Sequence, residues 1–188
     1  SGGGAGASGG EDVPDRGARL DSEADIPTSL VHEVLRREQA HIDTLVDGRG
    51  TEDASAIKAR MQELMTAKVG IFRTGKDLEQ AVEALLKLLA RSRRIGLRAR
   101  SPGANPELAT AYRIPGMLKL ALCVAHGALV RTESRGAHFR EDFPDKATEF
   151  GTINIAVRQG AGDVMEIGRL PIPPIPDHLK QVIEEQKS

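Results

Sequence analysis

Between Arg131 and Pro144 the chain sets Arg131, Arg135 and Arg140 beside Glu133, His138, Glu141 and Asp142, directly after an apolar stretch. Charged groups at the end of an apolar element must pair, hydrogen-bond or face water. Three chemistries fit this set. His138 and a carboxylate are an acid–base pair, the arginines are forks for an anionic substrate, or the charges are ion pairs that lock the segment onto another surface. The residues alone favour the third, because no second cluster elsewhere in the chain completes a site.

Other chemistry-bearing residues are weaker. Gly4-Ala5-Gly6-Ala7-Ser8-Gly9 has the spacing of a dinucleotide fingerprint. That fingerprint needs a buried strand before it and a helix N-terminus after it. No strand-like run precedes Gly4 and the polar Glu11-Asp12-Val13-Pro14-Asp15 follows Gly9, so the run reads as linker. Arg91, Arg93, Arg94, Arg98 and Arg100 crowd one helix end, where cations offset the helix dipole and stay solvated. With no aromatic residue among them and a net charge of −1, nucleic-acid binding is not expected. The lone Cys123 reads as a buried, unreactive thiol, and its i+3 spacing to His126 is weak support for a catalytic pair. His32 and His41, nine residues apart, do not share a helix face, and no metal site is assigned.

The elements that must carry these residues follow from composition and periodicity. In 188 residues the chain is 39% hydrophobic but only 3% aromatic, which favours packed helices over a sandwich and predicts a globular, soluble chain. A single cysteine fits a reducing compartment. No apolar run approaches the roughly 20 residues that span a bilayer, and no signal core opens the chain. The Ser1-Gly2-Gly3-Gly4 start without Met suggests a piece of a longer protein.

Residues 1–26 are predicted to be a flexible linker. A first helix starts at Thr28 and stops at Gly48, with Val31, Val34, Leu35, Ile42, Leu45 and Val46 on its core face. A second begins at Asp53 or Ser55 and carries Ile57, Met61, Leu64 and Met65 to Gly70; a third sets Leu78, Val82, Leu85, Leu86 and Leu89 after the Thr74-Gly75 turn. Asn105-Pro106-Glu107 opens a long helix to about Arg131, kinked at Pro115. Its far half presents Leu118, Ala121, Leu122, Ala125, Ala128 and Leu129. A polar loop to Phe150 comes next, then a hairpin of Thr152–Val157 with Asp163–Ile167 across Gly160-Ala161-Gly162. Leu170–Pro176 is expected to be neither helix nor central strand and to cross a surface in extended form, and Asp177–Lys187 to be a terminal helix. The fold class is therefore mostly α: a spectrin-repeat-like bundle of three to four helices over 27–150, then a charged loop and a small hairpin, with 151–188 as the tail.

Glu133-Ser134-Arg135-Gly136-Ala137-His138, with Arg140, Asp142 and Pro144, resembles the signature in the C-terminal domain of succinate dehydrogenase and fumarate reductase flavoproteins. Val69-Gly70-Ile71-Phe72-Arg73-Thr74-Gly75 with Asp77-Leu78, and Asn105-Pro106-Glu107-Leu108, resemble two further stretches of that family in the same order. L-aspartate oxidases share a related Glu-Ser-Arg-Gly stretch, but Ala137-His138, Arg140 and Asp142 are more similar to the dehydrogenase and reductase branch. Ala111-Tyr112-Arg113-Ile114-Pro115 inclines the reading to a fumarate-reductase-like member, while Lys146–Phe150 departs from the family's usual wording.

The resemblance implies an oxidoreductase subunit that interconverts succinate and fumarate through FAD held in preceding domains. Electrons then pass to an iron-sulfur subunit and membrane quinone, at the cytoplasmic face of the membrane. It implies no cofactor in this segment and an inactive isolated fragment. Glu133, Ser134, Arg135, Gly136, His138, Arg140 and Asp142 are then an interface motif toward the FAD domain, with no catalytic role. The rivals are an independent helical module that binds anionic partners through Arg91–Arg100, an L-aspartate-oxidase-like domain, and a small enzyme using His138.

Overall fold

A computed structural model describes residues 26–99, 103–160 and 165–186. The Gly4–Gly9 run, the rest of the predicted linker to Asp25, Arg100, Ala161 and Gly162 of the predicted turn, and Asp163 lie outside them. The chain order is α1 (Thr28–Asp47), α2 (Ala54–Lys68), β1 (Phe72–Arg73), α3 (Gly75–Ser92), α4 (Pro106–Val130), β2 (Phe139–Arg140), a 3-10 turn (Glu149–Gly151), β3 (Ile153–Gln159), β4 (Met165–Pro171) and α5 (Asp177–Glu185). The mostly α reading holds.

Three of the helix starts rest on side-chain caps. Asp53, Thr74 and Asn105 each accept, through the side chain, the amide three residues on: Ala56, Asp77 and Leu108. α2, α3 and α4 pack on one another around Ile57, Leu78, Leu85, Ile114, Leu118 and Leu122, all essentially without solvent contact. Ala121, Ala125 and Ala128 on α4 are buried as predicted, and their small size lets α3 approach closely. On α3 the stripe is Leu78, Ala81, Val82, Leu85, Leu88 and Leu89, whereas Leu86 turns to solvent.

Four further expectations change. α1 contributes only Leu45 to the core, and its N-terminal half leaves Leu30, Val31, Val34 and Leu35 exposed. It is fastened to α4 by the Tyr112 hydroxyl, which donates to Glu38 at 2.6 Å, and by Tyr112 against the His41 ring. α4 runs as an unbroken helix through Pro115. It is also long and apolar enough to cross a bilayer by length and composition alone; its buried face is the bundle core. β4 begins at Met165 and continues through Leu170 and Pro171, because in a two-stranded ribbon every strand is an edge and tolerates proline. Cys123 is half-buried, with its thiol 3.9 Å from the Met165 sulfur where the hairpin meets α4.

The described arginines at the end of α3 stay solvent-exposed and are also paired. Glu52 takes a two-pronged contact from Arg91 (3.1 and 2.7 Å) and a third from Arg94 (3.3 Å), and Arg98 reaches Asp53 at 2.7 Å. The Glu107 carboxylate, in the first turn of α4, accepts the amides of Arg98 and Ala99. Gly50 and Gly96 cross so closely that a Cβ on Gly50 would sit 2.3 Å from the Arg94 carbonyl oxygen, so both positions require glycine.

Candidate functional site: a charged clasp at the helix ends

The segment after α4 folds around Ser134. Its amide donates to the Asp145 carbonyl (3.0 Å), its hydroxyl donates to the Phe143 carbonyl (2.9 Å), and the same oxygen accepts the Arg140 amide (2.8 Å). Arg135 and His138 exchange backbone hydrogen bonds across Gly136-Ala137, with φ +60° at Gly136. A positive φ at the first central position suits a type II′ turn, where glycine carries no Cβ penalty.

β2 then pairs in parallel with β1, so that Phe72 faces Phe139 and Arg73 faces Arg140. This contact was not foreseen. It brings the Val69–Gly75 stretch onto the charged loop and adds two groups to the cluster. The Arg73 guanidinium donates to His138 Nδ1 at 2.6 Å, and the Gly75 amide, at the start of α3, donates to Asp142 at 2.9 Å.

Arg140 is the centre of the arrangement. Only 2% exposed, it holds Asp142 through a fork of two 2.8 Å bonds and donates to the carbonyls of Ala128, Leu129 and Arg131 at the end of α4. The cation therefore caps the negative end of α4 while its carboxylate partner caps the positive end of α3. One ion pair joins two helix termini. The Arg140 guanidinium, with the Gly75 amide, holds the Asp142 carboxyl well below the usual range.

Glu133 is wholly buried and accepts from Arg131, from the Arg135 fork at 2.9 and 3.0 Å, and from the Ala147 amide at 2.9 Å. The Arg135 contacts outweigh the cost of burial and hold its carboxyl down to about 2. Arg131 also lies over the Phe150 ring and donates to the carbonyls of Phe150 and Ile153, which ties the clasp to the hairpin.

His138 has both ring nitrogens engaged. Nε2 faces the Arg131 carbonyl at 3.0 Å and must donate to it, so Nδ1 accepts from Arg73 and the ring is neutral. Burial is the main cause that lowers its pKa, and the cations of Arg73, Arg140 and Arg131 add to it. Nitrogen NMR of the imidazole is expected to show the Nε2–H tautomer and a titration below the ordinary 6.5; an Nδ1–H tautomer would refute this bonding. The one lone pair of the neutral ring is thus engaged by Arg73 in this structure.

All seven residues singled out from the sequence, Glu133, Ser134, Arg135, Gly136, His138, Arg140 and Asp142, thus meet in one network. Among the described residues no buried side-chain nitrogen or oxygen lacks a hydrogen-bond partner. No His, Cys, Asp or Glu group among them converges as metal ligands would. The network faces inward; its outer edge is aromatic. Phe72 is 69% exposed and meets Phe139 edge-to-face with ring centres 5.5 Å apart, and Phe143, under the Arg140 guanidinium, is also exposed. Arg73 and Gly75 were missed, although their stretch was one of the three that carried the family resemblance.

Known proteins resemble this chain in sequence and in fold. Residues 58–174 match the family described as fumarate reductase flavoprotein C-terminus. The fumarate reductase flavoprotein subunit of Helicobacter pylori strain J99 is 45% identical over 130 residues, 69% of this chain and 18% of that one. The corresponding subunit of Mycobacterium tuberculosis is 32% identical over 169 residues, 89% of this chain and 29% of that one. The chain therefore spans less than a third of either relative. A variant of E. coli quinol fumarate reductase superposes with a TM-score of 0.71 over 80% of this chain and 26% of that one, at 24% identity, which supports the fold.

Proposed function

Because the chain belongs to the C-terminal domain family of fumarate reductase flavoproteins, we propose that it serves a larger flavoprotein subunit as a packing and assembly domain. In this reading the parent interconverts fumarate and succinate through FAD. The electrons are exchanged with an iron-sulfur subunit and, indirectly, a quinone-binding membrane subunit, with the flavoprotein on the cytoplasmic side. Among the described residues, parallel pairing is confined to the two-residue β1–β2 contact and the isolated Glu52–Ile95 bridge, and no strand–glycine–helix unit frames a dinucleotide. These residues do not fit FAD, and no step of the reaction is assigned to them. Residues 27–150 are read as the helical unit of that domain, with 151–188 as its tail.

One observation carries the assembly role. The chain has four phenylalanines, and three of them, Phe72, Phe139 and Phe143, are exposed along the edge of the clasp. Exposed aromatic edges on an otherwise aromatic-poor chain mark a docking surface. The ion pairs beneath hold that edge rigid, which reduces the ordering cost of docking. The edge is proposed to meet the FAD domain, and the uncovered apolar faces of α1 and α5 are left for partner surfaces.

Phe72→Asp tests this. In the isolated domain its effect on stability is expected to stay within about 0.5 kcal/mol, as for a surface position. In the full flavoprotein subunit it is expected to lower flavin retention and complex assembly. Arg135→Ala should impair both as well, with some loss of domain stability. Full flavin content and normal assembly in both variants would remove the proposal.

A further inference from the structure

A second feature lies at the opposite end of α3, about 26 Å from Gly75 at 1.5 Å per residue. A cavity of about 650 Å³ opens between the ends of α1 and α3 and the middle of α4. Its floor is apolar, with Leu45, Leu89 and Ile95 all buried. Its walls carry Arg49, Arg93, Arg94 and Lys119, and no Asp or Glu is among its described lining residues. That volume falls within the range of small-ligand pockets, about 300–1,000 Å³.

Helix dipoles account for part of the charge. Arg49 follows the end of α1, and Arg93 and Arg94 follow the end of α3, where cations are favoured. Lys119 lines the cavity from the middle of α4, away from either end of that helix. The rim is also built. The Glu52 amide donates to the Arg94 carbonyl (3.0 Å) and the Gly96 amide to the Glu52 carbonyl (3.1 Å). With Gly50 and Gly96 in backbone contact, this fixes the loop that bears Arg49 against the loop that bears Arg94. Glu52 itself is turned to Arg91 and Arg94 and is absent from the lining.

We propose that this pocket binds a small polyanion, with two or more oxyanion groups reached by Arg49, Arg93, Arg94 and Lys119. Convergent cations on preorganised backbone are the chemistry that recognises phosphate or carboxylate clusters. The site is separate from the clasp and does not depend on the parent enzyme's activity.

The test titrates sodium pyrophosphate, and separately citrate, into the 188-residue chain at low salt, followed by amide NMR. Saturable one-to-one binding is expected, with the shifts concentrated on Arg49, Gly50, Arg94 and Lys119. Arg49→Gln and Lys119→Gln should each weaken it about tenfold. Tighter pyrophosphate binding would identify a phosphate-bearing ligand; tighter citrate binding, a polycarboxylate. Shifts spread over all basic residues without saturation would overturn the proposal, as would variants that bind like the unaltered chain. Binding of an acidic peptide but of neither small anion would overturn it too. If Lys119→Gln does not fold, Arg49→Gln, on an exposed loop, decides alone.

Discussion

Arg140→Ala is expected to destabilise the domain by about 3–5 kcal/mol, the usual cost of removing one partner from a buried ion pair. For a chain of this length that corresponds to a fall in Tm of about 10 °C. The loss is large because three things go together. Asp142 loses its fork, the carbonyls of Ala128, Leu129 and Arg131 lose their donor, and the ends of α3 and α4 lose the pair that joins them. Lysine is a poor substitute, since a single ammonium cannot hold a carboxylate bidentately and reach the carbonyls as well. Urea unfolding of Arg140→Ala, Asp142→Asn and the double variant measures the coupling. Additive effects, or a loss below about 1 kcal/mol for Arg140→Ala, would show that the clasp does not hold the helices together.

Glu133→Gln is expected to cost about 2–4 kcal/mol at neutral pH, because it replaces a buried carboxylate serving several donors by an amide that turns N–H groups toward guanidinium. It should also change the pH dependence of folding. The Glu133 carboxyl has an ordinary value of 4.5 and is held down to about 2 in the folded chain. Its stabilisation is therefore complete above about pH 4.5 and is lost as the pH falls toward 2. Asp142, also depressed, acts in the same direction below its ordinary 3.8. Denaturation across this range should show stability falling with pH in the unaltered chain and a flatter profile in Glu133→Gln. Identical slopes would mean that the carboxylate is not held as the geometry shows.

Much of the fold was legible because it rests on local signals. Asp53 and Asn105 announce helix starts by side-chain chemistry alone, Thr74-Gly75 reads as a turn, and the alanines of α4 mark its packing face by periodicity. The clasp was legible as a charge density that an apolar helix end could not leave unpaired. Its internal wiring was not. β1 and β2 are two residues each, too short to show alternation, and their pairing joins residues as distant in the chain as Phe72 and Phe139. The pairing of the arginines after α3 was not legible because Glu52 lies far from them in the chain and approaches only through the loop contact with Ile95. The apolar stripe of α1 was a sound helix signal but a poor core signal. Periodicity reports that a face wants covering, not that this chain covers it.

The parallel β1–β2 contact has a consequence for the order of folding. Arg73 and His138 are 65 residues apart, and Gly75 and Asp142 are 67 apart, so these bonds close a long loop of chain. Such contacts form late, after local helices have shortened the path between their ends. The aromatic edge on β1 and β2 is therefore expected to be among the later parts of the domain to form. A neighbour that recognises this edge, as proposed for the FAD domain, would then bind finished copies in preference to partly folded ones.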